Sequence, residues 1–301
     1  MSQIIVTGGA GFLGHHLCRA LATAGHELKV IDLKENPEFP TIIADIRDPA
    51  AMKEHIRDAD AVIHLAALIE AGESVKFPQR FVDSNITATI NILEAMRANS
   101  ITTFLFSSSA AIYGDPIKTP IGEDDRTLPV SPYGMTKLAM EGLVSSYVKS
   151  YGFSGVALRY FNLYGPEEHH EPETHAIPRF IEQMTTDQPI SMYGDGEFVR
   201  DYIYIDDVVS AHLKALALLE NQPHQYHYCN LSTGHGYTVK QIVEKLAQIM
   251  QKQPSIDWQP ERAGDPRVLV ANPTKAQEVL DWQAQVDIDT GLAKTVAYFT
   301  D

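Results

Sequence analysis

Tyr133 and Lys137 stand four residues apart, a spacing that brings both side chains to one face of a helix. An ammonium beside a phenol lowers its pKa, so this pair suits a tyrosine acting as a base near neutral pH. Ser131 fits the cap of that helix and Pro132 its first turn. Upstream, Ser107, Ser108 and Ser109 close an apolar run, and a hydroxyl such as Ser109 could bond the substrate oxygen that Tyr133 deprotonates. A second constellation, Gly8, Gly11 and Gly14, follows the apolar run 4–7 and opens a helical pattern. Glycines allow a tight turn and close backbone approach, and the amides at a helix N-terminus attract a pyrophosphate. The spacing is G-x-x-G-x-x-G, which says little as a glycine pattern alone and much in a strand–turn–helix setting. Asp32, 18 residues past Gly14, ends the next apolar run, where an acid binds the ribose hydroxyls of an adenosine and repels a 2′-phosphate. That favours NAD over NADP. Asp45 with Ile46 fits either the adenine edge or a solvated turn.

The elements that must position these residues alternate. Short β-branched apolar runs at 4–7, 28–31, 41–44, 61–67, 103–107 and 156–160 read as strands covered on both faces. Helical patterns fall between them at 12–24, 50–56, 78–98 and 132–151. This alternation predicts an α/β fold: a doubly wound parallel sheet, with ligands at the carboxyl ends of its strands. Two long loops, 115–131 and 166–174, interrupt it, and the alternation then weakens, with helices at 177–185 and 239–252. The expected division is a dinucleotide-binding domain over 1–165 and a smaller α+β substrate domain over 166–301. The segment 200–220 returns to pack on the sheet.

Composition narrows the function class. A formal net charge of −15 would repel a nucleic-acid backbone. No apolar stretch approaches membrane-spanning length. The two cysteines, Cys18 and Cys229, have no metal-type spacing, and the cytoplasm is the expected location. His169, His170, Glu171, Glu173 and His175 crowd one loop, but Pro166 opens it and Pro172 interrupts the acids, and a solvated loop is expected there with no metal.

At this point the chain resembles the extended short-chain dehydrogenase/reductase family, in its NAD-dependent epimerase/dehydratase group, and within it the UDP-glucose (UDP-galactose) 4-epimerases. The matching stretches are Val6-Thr-Gly-Gly-Ala-Gly-Phe-Leu-Gly14, Val62-Ile-His-Leu-Ala-Ala67, Gly72-Glu-Ser-Val75, Phe106-Ser-Ser-Ser-Ala110 with Tyr113-Gly114, and Ser131-Pro-Tyr-Gly134 with Lys137. They continue through Leu158-Arg-Tyr-Phe-Asn162, Tyr193-Gly-Asp-Gly196, Arg200-Asp-Tyr-Ile203 and Arg262-Ala-Gly-Asp265. The resemblance implies a Rossmann fold, bound NAD, a nucleotide-sugar substrate and Ser109, Tyr133 and Lys137 as catalytic residues. Phe12, Leu13, Leu65, Ala66, Ala67, Asn85, Ser107 and Tyr160 would line the cofactor cleft. Asn162, His175, Ile177 and Tyr193 would approach the substrate diphosphate and base. Arg200 and Arg262 would pair with the diphosphate, and Asp265 would take the nucleoside ribose; arginine forks suit phosphate. Matches at Glu141 and Arg159 read as structural.

Two positions depart from the family. Ile69 stands where its epimerases often have lysine, and Leu269 where a bulky tyrosine can restrict the sugar pocket. Leucine leaves room for N-acetylated sugars beside plain hexoses. Related dehydratases carry an acid where this chain has Ala111, so elimination chemistry lacks its acid here. The alternatives are another nucleotide-sugar oxidoreductase or reductase, and a binding protein of this fold, which would lose the tyrosine–lysine pair. The predicted helices 78–98 and 132–151 carry apolar residues on more than one face, among them Ile86, Ile90, Leu143 and Tyr147. In the family such helices pair across a two-fold axis, so a homodimer is expected; cover by the chain's own loops is the alternative.

Overall fold

The computed structural model describes residues 2–169, 175–261 and 266–300. The chain begins β1 (Gln3–Thr7), α1 (Phe12–Thr23), β2 (Glu27–Asp32), β3 (Thr41–Ile43), α2 (Pro49–His55) and β4 (Ala61–His64). It continues with α3 (Ala71–Lys76), α4 (Pro78–Phe81), a π-helical segment (Val82–Thr87), α5 (Ala88–Ala98), β5 (Thr103–Ser109), α6 (Pro132–Tyr151) and β6 (Ser154–Tyr160). The remaining elements are β7 (Asn162–Tyr164), α7 (Ala176–Thr185), β8 (Ile190–Tyr193), β9 (Val199–Tyr204), α8 (Ile205–Asn221), β10 (Tyr226–Leu231), β11 (Gly236–Thr238), α9 (Val239–Met250), β12 (Ile256–Gln259), β13 (Val268–Leu269), α10 (Thr274–Leu280) and α11 (Ile288–Thr300).

Seven strands form one parallel sheet in the order β10-β6-β5-β4-β1-β2-β3. Successive residues along each strand serve opposite faces. Ile4 and Val6 join one buried cluster with Leu13, Leu17 and Leu21 of α1, whereas Ile5 joins another with Ile92, Met140 and Val144 of α5 and α6. Helices therefore cover both faces, and fully burying each such aliphatic side chain contributes roughly 1.5–3 kcal/mol. The chain order reverses between β1 and β4, the crevice where open α/β sheets bind ligands. This is the expected doubly wound fold.

Three features differ from the sequence reading. The run 61–67 is strand only to His64, because the amides of Leu65 and Ala66 both turn to the Thr7 carbonyl, at 2.9 and 3.0 Å. The expected continuous helix 78–98 is broken by the π-helical segment. There the Thr89 hydroxyl donates to the Asn85 carbonyl at 2.5 Å, while the Asn85 side chain turns away to other partners. Beyond the first half, β10 pairs with β6, so the large sheet takes its last strand from 226–231, whereas α8, inside the segment expected to return, packs against β5, β6 and α1. Around β9 lie β7, β11 and β13, and β8 pairs with β12, forming the smaller layer that faces the carboxyl ends of the large sheet. Among the described residues, no helix is long and apolar enough to cross a membrane.

Candidate active site

The glycine turn has a steric cause. Gly8 adopts φ +76°, and a Cβ on it would sit 2.5 Å from the Ala66 nitrogen, so only glycine lets β1 pass this close to the end of β4. A Cβ on Gly14 would strike the Gly8 carbonyl and come within 2.6 Å of the Gly9 Cα, which ties α1 tightly to the turn. Gly11, the residue before α1, carries no capping side chain, so the first amides of the helix are left for a ligand. Asp32 at the tip of β2 accepts hydrogen bonds from the amides of Ala10 (3.0 Å), Leu33 (2.7 Å) and Lys34 (3.1 Å). Its carboxylate is thereby locked beside the turn.

The catalytic pair sits at the other side of the same crevice. Ser131 caps α6 by accepting from the Gly134 amide at 3.1 Å, with Pro132 in the first turn. The Tyr133 amide donates to the Ser74 hydroxyl at 3.1 Å, which pins α6 to α3. A Cβ on Gly134 would lie 2.5 Å from the Ala111 carbonyl, so α6 also presses on the turn after β5. Ser109 ends β5 and hydrogen-bonds Tyr133. Lys137 is buried and donates to the carbonyl of Ser107 at 2.8 Å and to its hydroxyl at 3.1 Å.

The electrostatics correct one expectation. Burial pushes the Tyr133 phenol up to about 12, Ser109 pulls it down and Glu70 pushes it further up. Lys137 directs its ammonium to Ser107, and burial drives its own pKa down to about 7.

A single cavity of about 1370 Å³ joins the two constellations. It exceeds the roughly 300–1,000 Å³ of a pocket for one drug-sized ligand. Gly8, Gly11, Phe12, Leu13, Gly14, Asp32, Asp45, Ile46, Leu65, Ala66 and Ala67 border it at the β1–β2 end. Ser107, Ser109, Tyr133, Lys137 and Tyr160 border its middle, and Asn162, His175, Ile177, Tyr193 and Arg200 its far end. Asp45 is held by a bidentate hydrogen bond from Arg47, which keeps its carboxyl below the usual range. His175 hydrogen-bonds Glu168 at 2.6 Å, and the Arg200 guanidinium donates to the Val199 carbonyl at 2.8 Å.

Two expected lining residues are elsewhere. Asn85 is fully buried behind the wall, exchanging hydrogen bonds with the Leu68 backbone at 2.9 and 3.0 Å and donating to Thr136 at 2.9 Å. It shapes the wall and does not border the cavity. Leu269 is paired with Arg200 across β13 and β9 and packs with Ala110, Ile112, Tyr113 and Phe161, also away from the cavity border. Arg262 and Asp265 lie outside the described residues, as do His170, Glu171 and Glu173 of the histidine-rich loop. Among the described residues, no three metal-ligating side chains cluster. Sequence reasoning missed Glu70, Phe161 and Arg179, all at the cavity. Arg179 had a usable signal, since it follows Ile177 by two residues in a strongly amphipathic helix. Glu70 had none.

These residues fit NAD: a turn that admits no side chain, an uncapped helix end, and an acid where a ribose would lie. The profile of the NAD dependent epimerase/dehydratase family matches residues 4–229. The UDP-glucose 4-epimerase of Rhizobium leguminosarum bv. trifolii is 38% identical over 95% of this chain and 93% of its own. The structure of UDP-glucose 4-epimerase from Thermotoga maritima with UDP-glucose is 34% identical, with a TM-score of 0.93 over 99% of this chain and 98% of that one. UDP-N-acetylglucosamine 4-epimerase from Methanobrevibacter ruminantium M1, bound to UDP-N-acetylmuramic acid, is similar at 30% identity, with a TM-score of 0.92 and the same coverage.

Proposed function

The chain belongs to the NAD dependent epimerase/dehydratase family, and from that premise we propose that it is an NAD-dependent 4-epimerase of UDP-glucose and UDP-galactose, with N-acetylhexosamine derivatives as further substrates. The observation that carries this reading is the continuous cavity running from the glycine turn past Tyr133 to Arg200. It has room for a retained dinucleotide and a nucleotide sugar end to end.

Ser109 donates a hydrogen bond to the C4 oxygen of the sugar, and Tyr133 takes the proton of the C4 hydroxyl. The C4 hydrogen leaves with its electron pair and the C4–O bond becomes a carbonyl. NAD, which the glycine turn, Asp32 and Lys137 would hold, would supply the hydride acceptor and donor for that hydrogen, and its positive charge in the oxidised form would favour ionisation of Tyr133. The 4-keto sugar then turns, anchored only by its nucleotide, the hydrogen returns to its other face, and Tyr133 gives the proton back. Lys137 holds the cofactor ribose and the end of β5. Arg200 steadies the diphosphate with Arg262, Asp265 takes the nucleoside ribose, and Tyr193 lies beside the base. Residues 1–165 with α8 and β10 form the cofactor half; the rest of the chain from 166 forms the substrate half.

Incubation with UDP-, dTDP-, GDP- and CDP-sugars should show C4 inversion by NMR for UDP-hexoses. Deuterium placed at C4 should be retained at C4 of the product. Washout of label into water would exclude the scheme.

The functional unit in this reading is a homodimer paired through α5 and α6. Ile86, Ile90, Leu143 and Tyr147 remain only half-buried, whereas Leu93, Met96, Met140, Val144 and Val148 are covered by the chain itself. Sedimentation equilibrium reads this directly. We assign the protein to the cytoplasm, where buried free thiols such as Cys18 and Cys229 persist, and cell fractionation checks that location.

A further inference from the structure

We propose that Ser74 and Thr136 are positioning residues of the reaction, holding Tyr133 at a fixed distance from the cofactor turn through its two backbone polar groups; the inference rests on the epimerase reading above. The first turn of a helix offers its amides no carbonyl of its own. In α6, Pro132 has no amide hydrogen and Ser131 takes Gly134, so the Tyr133 amide turns outward to the Ser74 hydroxyl at 3.1 Å. That hydroxyl donates to the Ala71 carbonyl at 2.6 Å, which turns its lone pairs towards α6. On the other side the Thr136 hydroxyl donates to the Tyr133 carbonyl at 2.7 Å and accepts from the Asn85 side chain at 2.9 Å. Ser74 and Thr136 are buried, and neither borders the cavity. They act on the substrate only through the tyrosine.

Both ties lead to one stretch of chain, residues 65–74. At its start, the amides of Leu65 and Ala66 bond the Thr7 carbonyl beside the glycine turn. Midway, the Asn85 side chain exchanges hydrogen bonds with the Leu68 amide and carbonyl, at 2.9 and 3.0 Å. At its end stands Ser74, whose own amide donates to the Glu70 carbonyl at 3.0 Å. The stretch therefore runs from the turn where a pyrophosphate would lie to the backbone of the base, and it is hydrogen-bonded at both ends. In an epimerase the phenol must meet the C4 oxygen while the hydrogen on C4 faces the cofactor. A shift of about 1 Å in the spacing of those two groups can cost about 10²-fold in rate.

The test measures kcat and KM for UDP-glucose in the full-length protein with NAD. Ser74→Ala should lower kcat at least about tenfold and leave KM and NAD affinity within about twofold. Introduced into Tyr133→Phe, the same change should cost less than about twofold more, because the group being positioned is gone. Thr136→Val should behave as Ser74→Ala does, and Thr136→Ser, which keeps the hydroxyl, should retain at least about half of the activity. A kcat for Ser74→Ala within about twofold of the unmodified protein, or an equal loss in both backgrounds, overturns the proposal. Should Ser74→Ala not fold, Thr136→Val is judged by the same two comparisons. Should the unmodified protein epimerise no UDP-sugar, that reading fails alone, and tyrosine labelled with carbon-13 at Cζ decides. The NMR signal that disappears in Tyr133→Phe should shift in Ser74→Ala, and an unshifted signal overturns the proposal.

Discussion

Lys137 is 1% exposed, and burial drives its pKa down to about 7 from 10.5. The unfolded chain therefore binds more protons than the folded one between those two values, so stability rises with pH across that window. The slope is at most about 1.4 kcal/mol per pH unit. Lys137→Met should remove this contribution. Urea midpoints at pH 7.5 and 9.5 should diverge for the unmodified protein relative to the variant; parallel behaviour would show that burying the ammonium costs nothing. Tyr133 gives a different signature, because Tyr133→Phe deletes one hydroxyl and no packing. Turnover should fall by roughly 10²–10⁴-fold, while the unfolding midpoint and NAD binding remain close to those of the unmodified protein. A variant that keeps more than a tenth of the activity would remove Tyr133 from the acid/base role.

The glycine turn illustrates how an element, not a residue, makes the cofactor site. At Gly14 an added Cβ meets only backbone of Gly8 and Gly9, which cannot swing aside as a side chain would. Gly14→Ala should reduce NAD affinity at least about tenfold, since the helix N-terminus must retreat from the place where the pyrophosphate binds. Gly72 in α3 has open space around it, so Gly72→Ala should retain NAD binding and stay within about 1 kcal/mol in stability. Titration of NAD into both variants separates a steric requirement from a general cost of replacing glycine. Equal losses at the two positions would refute the close-approach argument.

Across the whole molecule, one buried network ties together elements far apart in the chain. Arg159 of β6 donates to both carboxylate oxygens of Glu141 on α6 (2.9 and 2.7 Å) and to the Tyr113 hydroxyl at 2.7 Å. Ser108 of β5 donates to Glu141 at 2.5 Å, and the Tyr113 hydroxyl donates its own hydrogen bond to the side-chain oxygen of Asn230 of β10 at 2.7 Å. Glu141→Ala would strand the Arg159 guanidinium in the interior and should cost about 3–5 kcal/mol. Removing both charges in Glu141→Leu with Arg159→Met should recover much of that loss. Urea denaturation of the single and double variants measures it, and a Glu141→Ala loss below about 1 kcal/mol would mean that water reaches the arginine.

The amino-acid sequence determined the βαβ order, the glycine turn, the acid at Asp32 and the capped helix bearing Tyr133 and Lys137. Each of these is encoded within a few residues, as apolar periodicity, a cap, or a position where a side chain would collide with its own neighbourhood. The cavity-lining set also followed from local motifs at most positions. Tertiary structure decided the rest. Asn85 looked like a lining residue and became a brace, because the π-helical segment aims its amide at Leu68 and Thr136. Leu269 joined the Phe161 cluster through pairing with a strand almost 70 residues earlier in the chain. β10 entered the large sheet although polar His227 and Asn230 interrupt its apolar run, since partners 71 residues upstream supply its hydrogen bonds. The ionisation of Tyr133 and Lys137 was least legible, because desolvation depends on what surrounds a group in space, and a four-residue spacing carries no information about that.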